Sequence, residues 1–139
     1  MERPGILVVE DSDADAELIT LALDRSVLVT QVTRARTPRE ALVGLTADGA
    51  AVPSLMLVDV GLPGGGGVQL VRDVRRLKGA GELPIVMLSS SAQRADLTEA
   101  YAAGCNAYIV KPLRFADLAA RLDATVGFWL THNRTHTHA

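Results

Sequence analysis

Cysteine is almost missing: Cys105 is the only one in 139 residues. One thiol can neither close an intrachain disulfide nor build a thiolate zinc site, and the expected compartment is a reducing one. An excess of one charge sign is missing too. Sixteen acidic against fourteen basic side chains leave a formal net charge of −2. That balance offers no broad attraction to nucleic acid, which would need a clustered basic face. Long apolar runs are absent. Stretches such as Leu55–Val58 and Ile85–Leu88 fall far short of the roughly 20 residues that span a bilayer, so no membrane segment is expected. Met1-Glu2-Arg3-Pro4 lacks the cationic and apolar regions of a secretory signal, which predicts a cytoplasmic protein. No internal repeat is visible.

What remains is an ordinary globular composition, 48% hydrophobic and 22% charged, on a length that fits one domain. Four apolar runs do not alternate with polar residues: Ile6–Val9, Leu55–Val58, Ile85–Leu88 and Tyr108–Val110. Such runs suit parallel strands covered on both faces. Val27–Thr33 half alternates and suits a sheet edge. Between the runs lie helical patterns. Asp15–Leu23 carries Leu18, Ile19, Ala22 and Leu23 at helical spacing. Pro38 opens a second helix behind Thr37, a natural N-cap. Val68–Leu77 turns Leu70, Val71, Val74 and Leu77 inward and Arg72, Arg75, Arg76 and Lys78 outward. Ala92–Ala103 ends at Gly104. Phe115–Leu130 is the longest, and Gly127 weakens its last turn.

Strand and helix thus alternate five times. That order predicts an α/β, flavodoxin-like (βα)5 three-layer sandwich with a parallel five-stranded sheet ordered 2-1-3-4-5. The domain is expected over residues 4–130, with 131–139 a polar, disordered tail.

In such a sheet, ligands bind beyond the carboxyl ends of the strands, where the strand order reverses. Strand one ends in Glu10-Asp11, strand three in Asp59, strand four in Ser89-Ser90-Ser91 and strand five in Lys111-Pro112. Strands one and three are neighbours, so three carboxylates converge, with a hydroxyl and an ammonium opposite. Three close carboxylates repel and raise a pKa unless neutralised. A hard divalent cation resolves the conflict, and Mg2+ suits carboxylates plus phosphate oxygens. Lys111 supplies a point charge and Ser89 a hydrogen-bond donor. The set reads as a phosphoryl-transfer site with a carboxylate nucleophile. Asp59 is the best nucleophile, because a glycine-rich loop able to approach a phosphate follows it. The competing structural reading makes these acids helix caps, a role open to Asp11 and Asp13.

These residues carry a resemblance. Ile6-Leu7-Val8-Val9-Glu10-Asp11, Leu57-Val58-Asp59-Val60-Gly61-Leu62-Pro63, Pro84-Ile85-Val86-Met87-Leu88-Ser89 and Gly104-Cys105-Asn106-Ala107-Tyr108-Ile109-Val110-Lys111-Pro112 resemble the receiver domain of two-component response regulators, from Gly5 to about Leu122. The resemblance implies that Asp59 accepts a phosphoryl group from a histidine kinase or a phosphotransfer protein. It implies that Asp11, Asp59 and the Gly61 carbonyl bind Mg2+, with Glu10 acting nearby. Ser89 and Lys111 would hold the phosphoryl oxygens. Tyr108 matches the aromatic residue that turns inward in the phosphorylated state; its structural alternative is a packed strand-end aromatic.

Three positions depart from the commonest pattern. Glu10 stands where Asp is usual, and its extra methylene moves the carboxylate. Ser89 stands where Thr is commoner and is less restrained. Gly64–Gly67 has more glycine than the pattern needs, which predicts a mobile loop. Gly61 and Ser91 bring no bulk to the site, so the expected phosphate is short-lived.

The last helix needs Arg114–Leu130, and no helix-turn-helix or zinc finger is present, so output through a protein contact is expected. Phe128-Trp129-Leu130, with Val8–Asp15, resembles the single-domain regulators paired with bacterial phytochrome kinases. That implies a homodimer through the fourth helix, fifth strand and fifth helix, with Phe128 and Trp129 contributing; alternatively the pair covers the domain's own core edge. His132, His136 and His138 read as a solvated tail rather than a metal site, and Cys105 as a small structural residue. Two rivals remain. A phosphohydrolase with an Asp nucleophile would want a second acid two residues on, where Gly61 stands. A receiver-like binding module that no longer takes phosphate sits poorly with intact Asp11, Asp59, Ser89 and Lys111.

Overall fold

The computed structural model describes residues 5–28 and 31–132, the side chain of His132 excepted. Five strands, β1 (Gly5–Val9), β2 (Gln31–Ala35), β3 (Leu55–Asp59), β4 (Ile85–Ser89) and β5 (Ala107–Val110), alternate with α1 (Asp13–Asp24), α2 (Pro38–Thr46), α3 (Gly66–Arg75), α4 (Arg94–Ala103) and α5 (Phe115–Gly127). All neighbouring strands pair in parallel, in the order β2-β1-β3-β4-β5. This is the expected three-layer α/β arrangement.

The apolar runs explain the layers. Strand side chains alternate between faces, and each face is covered. Ile6, Val8, Leu55, Leu57, Val86 and Leu88 meet α1 and α5 through Ile19, Leu23, Leu118 and Leu122. Leu7, Val9, Met56, Val58, Ile85 and Met87 meet α2, α3 and α4 through Ala41, Val71, Val74 and Ala100. Each large apolar side chain taken from water contributes roughly 1.5–3 kcal/mol, so the central strands carry no polar residue before their last positions. β2 and β5 are the edges, and burial is least complete there.

Several boundaries differ from the sequence reading. β2 begins at Gln31 rather than Val27. Leu28 N–H donates to Ser26 Oγ at 3.3 Å, which turns the chain there and leaves Val27 fully exposed; Val29 and Thr30 lie outside the described residues. The cap of α1 is Ser12, whose Oγ accepts from Asp15 N–H at 3.2 Å. Neither Asp11 nor Asp13 caps, and Asp11 is left for other work. Thr37 caps α2 as expected, accepting from Glu40 N–H at 3.1 Å, and Gly104 ends α4 in the left-handed region at φ 114°.

α5 stops as an α-helix at Gly127 and continues as a π-helical turn, Phe128–His132. Thr131 and His132 belong to this turn; Pro4, His136 and His138 lie outside the described residues, as does the rest of the expected tail from residue 133. Within the turn the aromatic pair divides. Trp129 packs on the α1–α5 core, whereas Phe128 is half exposed and meets Trp129 edge-on at 4.9 Å. Among the described residues no helix is long and apolar enough to cross a membrane.

Arg75 is a correction of another kind. The helical pattern turns it outward, yet it folds inward beneath the sheet. Its guanidinium donates to the carbonyls of Gly104 at 2.8 Å, Gly81 at 3.1 Å and Leu83 at 2.6 Å, and to Asn106 Oδ1 at 2.7 Å. Asn106 Oδ1 also accepts from Ile85 N–H at 2.7 Å. One arginine thereby ties the end of α3 to the loops entering β4 and β5.

Candidate functional site

The carboxyl ends of β1, β3, β4 and β5 meet at one point, where the crossovers diverge to opposite faces. Glu10 and Asp11 follow β1, Asp59 ends β3, Ser89 ends β4 and Lys111 follows β5. Oxygens of Glu10, Asp11 and Asp59 all lie within 4.8 Å of one another. Lys111 Nζ lies 3.1 Å from Glu10 Oε1, 3.4 Å from Asp59 Oδ1 and 3.7 Å from Asp15 Oδ2. The residues named at strand ends from sequence are thus brought together. Asp15 is an addition, reached because α1 starts immediately behind the cluster.

Burial sets the electrostatics. Glu10 is fully buried, Asp59 and Ser89 nearly so, while Asp11 is exposed. Burial raises the Glu10 carboxyl most, contact with Asp59 raises it further, and Lys111 opposes both; the result is about 7. For Lys111, burial acts against its charge, but Asp59, Glu10 and Asp15 outweigh it and hold the ammonium above its ordinary value. Acids in excess of one ammonium, all-oxygen donors and separations within 4.8 Å make a fitting cradle for a hard divalent cation.

The flanking loops are built by hydrogen bonds rather than bulk. Gly61 N–H donates to Asp59 Oδ1 at 3.1 Å, and a Cβ at Gly61 would stand 3.5 Å from both carboxylate oxygens. The glycine run is not uniform. Gly64 and Gly65 hold left-handed turns at φ 66° and 71°, Gly66 starts α3, and Gly67 is buried where a Cβ would meet the Asp59 carbonyl oxygen at 2.5 Å. The glycine at 67 lets α3 start hard against the end of β3.

Ser89 Oγ accepts from Ser91 N–H at 3.0 Å, a contact that does not use the hydroxyl proton. Ser91 Oγ donates to Asp96 Oδ2 at 2.5 Å. The Tyr108 ring packs on the α2–α3–α4 side of the core, and its hydroxyl donates to the Ser91 carbonyl at 2.9 Å. Tyr108, Ser89 and α4 are therefore linked through Ser91. Sequence reasoning did not find Asp96; its position in the first turn of a helix was the available signal.

Residues 6–123 match the response regulator receiver domain family. The chain is 32% identical over 133 residues to the probable methanogenesis regulatory protein FilR2 of Methanothrix harundinacea, covering 94% of this chain and 86% of that protein. It is also 32% identical over 118 residues to the KDP operon transcriptional regulatory protein KdpE of Escherichia coli, covering 85% of this chain but only 49% of the relative. The chain thus spans about half the length of regulators of that type. Among solved structures, the phosphorylated cyanobacterial phytochrome response regulator RcpA matches with a TM-score of 0.87 at 28% identity, over 96% of this chain and 98% of that one. The Mn2+-bound form of the response regulator Rcp1, a protein of Synechocystis, matches with a TM-score of 0.83 at 26% identity, over 94% and 97%.

Proposed function

The chain belongs to the response regulator receiver domain family, and from that premise we propose that Asp59 accepts a phosphoryl group from a histidine kinase or phosphotransfer protein in the cytoplasm. One observation carries the reading: a single nearly buried aspartate stands between two further acids and an ammonium 3.4 Å away, all at the switch point of the sheet. An oxygen of Asp59 attacks phosphorus. The new O–P bond forms as the donor's bond to phosphorus breaks, and that electron pair leaves with the donor. Lys111 faces the added negative charge, and the Ser89 hydroxyl proton would serve a phosphoryl oxygen.

Glu10, Asp11, Asp59 and the Gly61 carbonyl are the groups that would hold Mg2+. When bound, the ion would offset charge on the carboxylates and on the transferring phosphoryl group. The manganese-bound state of Rcp1 supports the presence of a divalent ion here. Gly61 lacks a side chain and the Ser91 hydroxyl is engaged by Asp96, so attacking water meets little shielding and the phosphate is short-lived.

Likeness to RcpA supports a phytochrome kinase as the donor. Output is by protein contact. Tyr101 on α4, Leu113 before α5 and Phe128 are exposed and support a homodimer through α4, β5 and α5; Trp129 contributes indirectly by seating Phe128.

The test is acetyl phosphate with Mg2+, followed by mass spectrometry and a sizing measurement. One phosphoryl adduct, absent in Asp59→Asn, is expected. No adduct would leave a receiver-like binding module. Steady turnover of phosphate monoesters would favour a phosphohydrolase.

A further inference from the structure

Arg34 stands one residue before the end of the edge strand β2, with its side chain 23% exposed. It lies on the same sheet face as Val32, towards α1. Its hydrogen bonds reach neither Asp59 nor Lys111. Instead its Nε and Nη2 both donate to the backbone carbonyl of Glu10, at 3.0 and 2.8 Å, and Nη1 donates to Asp13 Oδ1 at 2.7 Å. The next residue completes the grip: the Ala35 carbonyl accepts from Glu10 N–H at 3.1 Å. Successive residues of β2 therefore hold both sides of the Glu10 backbone.

The carbonyl that Arg34 holds is that of the Glu10–Asp11 peptide. Because that unit is planar, fixing its oxygen fixes the direction in which the chain presents Asp11 after the buried Glu10. Arg34 also decides which acids face the cradle. Asp13 is only two residues beyond Asp11, yet it is outside the group within 4.8 Å. Its carboxylate is engaged by Arg34 and Arg36, and those two cations hold it below the usual carboxylate range. The rigid five-donor fork of a guanidinium can serve one carbonyl twice and a carboxylate once; an ammonium cannot.

We infer that Arg34 is a positioning residue for cation binding, orienting the Glu10–Asp11 peptide so that the two carboxylates that follow β1 meet Asp59 across the cradle. The inference rests on the reading of the site as a cation-dependent phosphoacceptor. Outer partners that orient ligands typically change metal affinity by about 10- to 100-fold when removed.

The test uses Mn2+ alone as probe, with free ion read by electron paramagnetic resonance, on the wild type, Arg34→Gln, Arg34→Lys and Arg36→Gln. Thermal melts without metal accompany each titration. Arg34→Gln should weaken Mn2+ binding by about 10- to 100-fold, and Arg34→Lys, which keeps the charge but not the fork, by about tenfold. Arg36→Gln, which touches Asp13 but not Glu10, should stay within about twofold. A lowered melting temperature in Arg34→Gln with Mn2+ affinity unchanged, measured well below the melt, would show a merely structural role and overturn the inference. Should Arg34→Gln not fold, unchanged affinity in Arg34→Lys overturns it equally. A wild type that takes up no Mn2+ would remove the reading of the site itself, and the inference with it.

Discussion

Lys111 Nζ lies 3.1 Å from Oε1 of Glu10, whose side chain is only 1% exposed. The pair joins the loop after β1 to the loop after β5, across a cluster with more acids than cations. Lys111→Met leaves Glu10 and Asp59 facing each other without compensation. Removing one partner of a buried pair costs about 3–5 kcal/mol; the low end applies here, because Glu10 can relieve the strain by taking a proton. Urea unfolding near neutral pH should show a loss of about 3 kcal/mol, and acetyl phosphate should leave no adduct. An unchanged unfolding midpoint would contradict the pairing.

Two glycines should respond oppositely to a methyl group. At Gly67 the added Cβ meets the Asp59 carbonyl oxygen at 2.5 Å and Val60 Cα at 3.2 Å. Backbone must move, so Gly67→Ala should destabilise by about 2–3 kcal/mol and slow phosphorylation by shifting Asp59. Gly44, inside α2, has nothing within 4 Å of such a Cβ. Gly44→Ala should stabilise by about 0.5–1 kcal/mol through helix propensity. Denaturant melts of the two variants decide both.

Arg75→Met strips donors from the carbonyls of Gly81, Leu83 and Gly104 together. Leaving part-buried acceptors unmatched costs about 1–3 kcal/mol, and a total loss of about 2–3 kcal/mol is expected. Adduct formation on Asp59 should persist in the folded fraction, since this latch lies at the opposite end of the strands. A variant as stable as the wild type would show that water replaces the guanidinium.

Cys105 is buried, and burial raises its thiol above the ordinary value, with Arg75 partly opposing. The folded protein should resist Ellman's reagent at pH 8, whereas urea-unfolded protein should react quickly. The sign for stability follows. A thiol whose pKa is higher when folded contributes fully below its unfolded pKa of about 8.5, and that contribution is lost as pH rises through the folded value. Cys105→Ala should therefore flatten the alkaline side of the stability profile. Rapid labelling of native protein would rule this out.

Much of this was legible in the residues. Unbroken apolar runs such as Ile85–Leu88 can only be strands covered twice, and alternation with helices then restricts the sheet order. Glu10, Asp11, Asp59, Ser89 and Lys111 stood out because polar chemistry directly after a buried strand has one place to go. Arg34 and Arg75 did not stand out, because most of their hydrogen bonds go to backbone carbonyls, which carry no side-chain signature. Arg75 does follow Val71 by four positions, so it borders the buried stripe of α3. The cap of α1 was read as open to Asp11 and Asp13, and Ser12, an equally good cap type, was missed; its extended backbone, φ −82° and ψ 120°, makes it the cap. The end of α5 depended on a π turn that no periodicity encodes.

The chain has one tryptophan, and Trp129 is seated against the α1–α5 core beyond the far end of α5. From Phe115 to Trp129 is about 20 Å at helical rise, so the indole stands at the opposite end of α5 from the loop that carries Lys111. It gives the molecule a native fluorophore that registers melting of the domain and stays dark to chemistry at the acids. Optical unfolding curves can thus be compared between variants of the phosphoacceptor without correcting for quenching by ions or phosphate.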